Sequence, residues 1–170
     1  MVLRNDEYER AMMTRINTRF TGRLASGQSV DLTVEQTRIT AVRETGPAPD
    51  APWLLPVLVD LQHNGSMGLT YNTLHEGTPE HLQTIARHLR RHGVGRCWAT
   101  LTTYPQEQLV RTVGQLRQWL DADSDLNTLY PGIFHEGIFI SPEDGWRGVH
   151  CRDWVAPPDM AYFRRINDAS

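Results

Sequence analysis

Two short polar clusters in this chain carry residue types that can hold a metal ion or a polar ligand, and each closes an apolar run. The first is Phe134-His135-Glu136-Gly137, with the turn-rich stretch that continues to Arg147, Gly148 and His150. It places a carboxylate and two imidazoles around the end of the run Gly132 to Glu136. The second is Asp60-Leu61-Gln62-His63-Asn64-Gly65, which ends the run Trp53 to Leu61. In a parallel α/β protein the C-terminal ends of the strands open into the crevice where ligands bind. Two strand ends with potential ligands are therefore expected to converge on one site.

Residue spacing sorts these side chains. Gln62 and Asn64 stand at i and i+2 and share one face of a strand, while His63 points to the other. The pair could supply two metal ligands or two hydrogen-bonding groups aimed at one bound species, or could satisfy backbone groups in the turn at Gly65. Glu136 would lie at the rim of an apolar core, where an unpaired charge is costly and a metal ion or a cation is the remedy. A salt bridge with Arg147 is the alternative. His135 alternates to the opposite side from Glu136. His150 sits in a loop able to fold over a pocket, and Arg147 would suit an anion such as phosphate. His75, His81, His88 and His92 are expected to be solvated on a loop and a helix surface.

The elements that must position these groups follow from periodicity. Residues 1–19 are polar and read as an extension or short helix. Residues 20–44 read as short strands: Val30, Leu32 and Val34 alternate, and Ile39 and Ala41 resume the alternation after the turn at Glu35-Gln36-Thr37-Arg38. Thr45 to Pro52 is a proline-rich linker. The run Leu54 to Leu61 is the pattern of a strand buried on both faces, with Pro56 near its start. Thr78-Pro79-Glu80 supplies an N-cap, a first-turn proline and an acidic first turn, after which Leu82, Ile85, Ala86 and Leu89 follow at helical spacing and Arg87, Arg90 and Arg91 precede Gly93. Arg96 to Thr102 reads as a second strand. Pro105 opens a second helix with the apolar face Leu109, Val113, Leu116 and Leu120, and Gly132 to Glu136 is the third strand. Strands alternating with helices of this length imply crossover units and a parallel sheet.

Composition bounds the function classes. The chain has 170 residues, 39% hydrophobic and 22% charged, enough to bury a core, and its net charge of -3 gives no basic footprint for nucleic acid. No apolar run approaches the roughly 20 residues that cross a bilayer, so no membrane association is expected and a cytoplasmic location is the default. Cys97 and Cys151 lack CxxC spacing and read as free thiols.

These residues carry a resemblance. Val34-Glu35 with Arg38-Ile39-Thr40-Ala41-Val42, Pro56 with Val59-Asp60-Leu61-Gln62-His63-Asn64-Gly65, Glu136-Gly137 with Phe139-Ile140-Ser141-Pro142-Glu143, Arg147-Gly148-Val149-His150, and Trp154-Val155 with Pro157-Pro158-Asp159 fall in collinear order. In that order the chain resembles the N-terminal part of the N-acetylglucosamine-6-phosphate deacetylases of the amidohydrolase superfamily. The resemblance implies an α/β fold: the first three βα units of a TIM-type (β/α) barrel over residues 51–170, preceded by a small β-sandwich element and linker over 20–50 and an extension over 1–19. A complete barrel needs about 250 residues, so three strands would be less than half of one.

The resemblance also implies a hydrolase that removes acetyl from an N-acetyl amino sugar phosphate with a divalent metal, zinc by expectation. Gln62 and Asn64 match the Gln-x-Asn variant that replaces the usual His-x-His and would form the metal-side wall. Glu136 matches the metal-binding carboxylate and His150 the loop histidine that contacts the sugar. The remaining metal histidines and the general base belong to later strands, so no catalytic residue falls in this chain and it is expected to be inactive alone. A homodimer is implied by the family as well. Val57 stands where the pattern has glycine, Phe134 where it has histidine, Ile138 and Cys151 where it has proline. The alternatives are another amidohydrolase, or a non-catalytic α/β fragment or binding module.

Overall fold

The structure, a computed structural model, describes residues 18–170. Of the expected N-terminal extension, Thr18 and Arg19 prove to open the first strand, and the rest lies outside the described residues. The fold is mixed α/β and divides into two compact units, the division falling between Val57 and Leu58.

The first unit is an antiparallel meander of β1 (Thr18–Arg23), β2 (Ser29–Glu35) and β3 (Arg38–Glu44) in the order β1-β2-β3. The turn at Gln36-Thr37 forms where the alternation breaks, with Gln36 at a φ of 56°. The proline-rich linker is irregular backbone, tied down where Arg23 N donates to Pro52 O at 2.8 Å and the Arg23 guanidinium lies 4.4 Å from the Trp53 ring centroid.

The second unit holds a three-stranded parallel sheet of β4 (Leu58–His63), β7 (Val94–Leu101) and β8 (Gly132–His135), in the order β4-β7-β8. Between β4 and β7 come a short hairpin, β5 (Gly65–Ser66) and β6 (Leu69–Thr70), a 3-10 turn Tyr71–Glu76, and α1 (Pro79–Arg91). Between β7 and β8 come α2 (Gln106–Ala122) and α3 (Ser124–Leu129), and α4 (Met160–Ala169) closes the unit. Cys97, Ala99 and Leu101, alternate residues of β7, join Leu82, Ile85, Ala86 and Leu89 of α1 and Leu109, Val113, Leu116 and Leu120 of α2 in one core. The helical apolar stripes read from the sequence are the ones buried.

The run Trp53 to Leu61 behaves differently from its expected pattern. Its strand begins only at Leu58, and Leu58, Val59 and Leu61 are exposed rather than buried on both faces, Leu61 by 66%. The cause is position. Among the described residues β4 is an edge strand whose one neighbour is β7, and the core shared with the helices is built on Cys97, Ala99 and Leu101 of β7, with no residue of β4 in it. A bulge adds to it: Asp60 pairs with Cys97 and His63 with Ala99, so three steps along β4 oppose two along β7.

Of the histidines expected to be solvated, His92 is exposed and His75 is not. The His75 side chain is 8% exposed and its Nδ1 lies 2.7 Å from Thr112 Oγ1, inside the packing of α2 on the 3-10 turn. His81 Nδ1 accepts from Thr78 N at 3.4 Å and so helps cap α1.

Candidate functional site

The C-terminal ends of β4 and β8 bring the predicted residues together. Gln62 is the next-to-last residue of β4, Asn64 follows the strand, and Glu136 follows β8, its amide extending the ladder by donating to Leu101 O at 2.8 Å. Gln62 Nε2 donates to Glu136 Oε2 at 2.8 Å and Asn64 Nδ2 donates to the same oxygen at 3.4 Å. Two amides on one carboxylate oxygen require that both project from the same face of β4, as i, i+2 spacing dictates. His150 closes the other side of the carboxylate, with Nε2 3.5 Å from Glu136 Oε1.

Arg147 does not take the place considered for it as the salt-bridge partner of Glu136. Its guanidinium pairs with Asp144 and donates from Nη1 to His150 O at 2.5 Å, so it braces the loop that carries His150. The Arg147 Nε is buried without a partner.

The remaining polar residues hold the strand ends. His63, on the opposite face from Gln62, places Nδ1 2.8 Å from the Tyr71 hydroxyl, which in turn lies 3.2 Å from that of Tyr130. Burial lowers the His63 pKa and raises those of both tyrosines, and it pushes the Cys97 thiol up to about 12. The two cysteines are free. Asn72 clamps the end of β7: its Nδ2 donates to Thr102 Oγ1 at 2.7 Å and its Oδ1 accepts from Thr102 N at 3.0 Å. Thr103 Oγ1 is 2.9 Å from His150 Nδ1. Sequence reasoning singled out neither Asn72 nor Thr103. The Thr102-Thr103 pair just past an apolar strand was the available signal.

His135 faces away from Glu136, as alternation requires. Its Nδ1 lies 3.3 Å from Leu101 O and its Nε2 2.9 Å from the hydroxyl of Tyr162 on α4. A carbonyl only accepts, so Nδ1 carries the proton and Nε2 accepts from Tyr162. Burial depresses the His135 pKa. The unfolded chain, with an ordinary imidazole pKa of about 6.5, then binds more protons than the folded chain below that pH. Stability is expected to be fully present above about pH 6.5 and to fall as the pH drops through the window below it, where protonation removes the acceptor for Tyr162. Thermal unfolding followed from about pH 7 to 5 checks this, because His135→Gln should make the profile shallower, with His63, whose pKa burial also lowers, supplying the remaining slope; a wild-type slope in the variant would refute the assignment.

Among the described residues there is no group of three or more His, Cys, Asp or Glu side chains able to hold a metal ion, and no helix long and apolar enough to cross a membrane. The site as it stands is one carboxylate held by two amides and an imidazole.

No family model matches the chain. The mouse N-acetylglucosamine-6-phosphate deacetylase is 28% identical over 113 residues, which are 66% of this chain and 27% of the mouse protein. The human enzyme of the same name is 32% identical over 97 residues, 57% of this chain and 23% of the human one. The chain thus spans about a quarter of the length of the curated relatives it matches. Among solved structures, a point mutant of the Mycobacterium smegmatis N-acetyl-D-glucosamine-6-phosphate deacetylase in complex with N-acetyl-D-glucosamine-6-phosphate matches with a TM-score of 0.70 and 25% identity, over 90% of this chain and 40% of that one. The Thermotoga maritima enzyme matches in fold, with a TM-score of 0.70 at 19% identity, over 86% of this chain and 38% of that one. In sequence and in fold, the chain resembles the N-terminal part of the N-acetylglucosamine-6-phosphate deacetylases.

Proposed function

We propose that this chain supplies the first part of a metal-dependent deacetylase site acting on an N-acetyl amino sugar phosphate, in the cytoplasm, within a homodimer. The observation that carries the reading is the convergence of Gln62, Asn64 and His150 on the Glu136 carboxylate. Its supports are the relatives named as deacetylases and the solved relative holding N-acetyl-D-glucosamine-6-phosphate. On this reading residues 51–170 are the first three βα units of a TIM-type barrel, 20–50 a small β-sandwich element with its linker, and 1–19 an extension. The open edge of β4, with Leu58, Val59 and Leu61 exposed, is what a strand awaiting a further neighbour would present.

The donor set fits one wall of a metal site. Glu136 would be a ligand to zinc, and the amides of Gln62 and Asn64 fix which way its carboxylate turns, a role that raises the precision of a ligand without adding charge. The neutral amides suit a single-metal site, since a second divalent ion needs anionic or imidazole ligands at that wall. When bound, such a metal acidifies its water and polarises the amide carbonyl. His150 directs a ring nitrogen at the site and would hold an oxygen of the sugar. Proton transfer needs a further carboxylate or imidazole, which none of these four residues provides.

The purified 170-residue chain incubated with zinc and N-acetylglucosamine 6-phosphate is expected to release no acetate. One metal ligand does not close a site, and loss of a general base alone costs about 10²-fold or more. Nuclear magnetic resonance should nonetheless place sugar-phosphate shifts at His150, Gln62 and Asn64. Metal-dependent acetate release abolished by Glu136→Gln would show a complete site and overturn the partial-barrel reading. Absence of any shift at these residues would favour the non-catalytic binding module.

A further inference from the structure

We propose that Thr103 is a positioning residue, which holds the His150 imidazole in the tautomer and orientation that aim an N–H at the Glu136 carboxylate. The role assigned to His150 as a sugar contact rests on the deacetylase reading, but the placement of its ring does not.

Thr103 is a fixed post. It lies just beyond β7, is 4% exposed, and follows Thr102, whose amide and hydroxyl are both engaged by Asn72. From there its hydroxyl reaches His150 Nδ1 at 2.9 Å, although 47 residues separate the two in sequence. The opposite nitrogen, Nε2, lies 3.5 Å from Glu136 Oε1. An ionised carboxylate has lone pairs only, so the favourable neutral tautomer carries its proton on Nε2 and leaves Nδ1 as an acceptor. A threonine hydroxyl can donate to that acceptor, because its proton rotates about the C–O bond. The other tautomer would set the Nε2 lone pair against the carboxylate.

A second, steric observation points to the same ring position. Gly137 has a φ of +95°, and a Cβ built there would lie 2.9 Å from Thr103 Cγ2 and 3.5 Å from both Nδ1 and Cε1 of His150. The backbone that follows Glu136 is thus packed against the threonine methyl and the imidazole at once. Thr103 contributes a hydrogen bond through its hydroxyl and a wall through its methyl. Held this way, His150 presents a donor to the site. A donor suits the oxygens of a phosphate or an acetamido carbonyl and would not accept from a sugar hydroxyl.

Two-bond proton–nitrogen correlation spectra of the full chain, recorded at a pH at which those same spectra show a neutral His150 ring, read the tautomer directly. Wild-type His150 should show a pyrrole-like Nε2 and a pyridine-like Nδ1. Thr103→Val, which keeps the volume, should lose that pattern in favour of averaged shifts, and Thr103→Ser should restore it. A general loss of packing would not distinguish these two variants in this way. If the valine chain does not fold, Thr103→Ala against Thr103→Ser makes the same comparison. An unaltered Nε2–H pattern in the variant lacking the hydroxyl, or its loss in the serine variant, overturns the proposal. Titrating wild type with N-acetylglucosamine 6-phosphate tests the other reading separately. Lack of any shift would overturn the sugar-phosphate assignment, while the ligand-free spectra decide the role of Thr103.

Discussion

Substituting Gly65 by alanine is expected to destabilise the second unit by about 3 kcal/mol and to move Asn64 off the Glu136 carboxylate. Gly65 has a φ of +123°, a conformation that side chains rarely adopt. The space is also taken: a Cβ there would lie 2.1 Å from Leu69 O and 2.8 Å from Thr70 Cα. Both are backbone atoms of the β5–β6 hairpin, so neither can swing aside as a side chain would. The hairpin must open or the chain at Asn64 must shift, and Asn64 is the residue whose amide reaches Glu136. Gly68 supplies the control, since its φ is +75° but nothing lies within 4 Å of its missing Cβ. Gly68→Ala should cost only the backbone preference, about 1–2 kcal/mol. Urea unfolding of both variants, with the Asn64 side-chain amide resonances as a local probe, makes the comparison. Equal losses would mean that crowding is not what requires glycine at 65.

The glycine after Asn64 was visible in the sequence as a turn signal, but the identity of the atoms behind it was not, and the same division runs through the molecule. Helix α1 was legible because its stop and start signals are local: Thr78, Pro79 and the arginines before Gly93 act within one turn of the residues they cap. The face shared by Gln62 and Asn64 was legible for a similar reason, since a two-residue period needs no tertiary information. The burial of β4 was not. Leu58, Val59 and Leu61 read as a core strand, yet whether a strand's faces are covered depends on elements elsewhere in the chain, and here the core of the helices is built on β7 and not on β4.

Helix α4 could have been found. Asp159 caps it by accepting from Ala161 N at 2.8 Å, and Tyr162, Ile166 and Ala169 repeat at i, i+4 and i+7 against the core. The stretch Pro157-Pro158-Asp159 entered the sequence analysis only as part of the resemblance, and the helical periodicity after it was not used. A histidine in a polar segment such as His75 looks solvated in sequence until its partner, Thr112, is brought to it from α2. Thr103 is the same case, a short-range residue type given meaning by a contact 47 residues away.

Ile138 is where the resemblance and the backbone disagree, and Ile138→Pro is expected to destabilise the chain although proline is the residue that the deacetylase pattern has there. Ile138 has a φ of +36°, directly after Gly137 at +95°. A proline ring holds φ near about −65°, so the substitution forces the main chain through a large rotation at a residue that is 0% exposed. The rotation would also displace the carbonyl that accepts from Ala156 N at 2.7 Å. Two consecutive positive φ values are what turn the chain sharply off the end of β8, leaving Glu136 at the rim with its carboxylate toward Gln62 and Asn64. The expected loss is about 3 kcal/mol or more. Ile138→Gly separates the two contributions. It releases backbone strain of about 1–2 kcal/mol but deletes a fully buried side chain whose removal costs several, so it should be destabilising by less than the proline variant. Measured unfolding midpoints in the order wild type, glycine, proline would support this account. A proline variant more stable than wild type would mean that the turn after Glu136 takes a path compatible with proline, and that the left-handed path through Gly137 and Ile138 is not what sets the carboxylate in place.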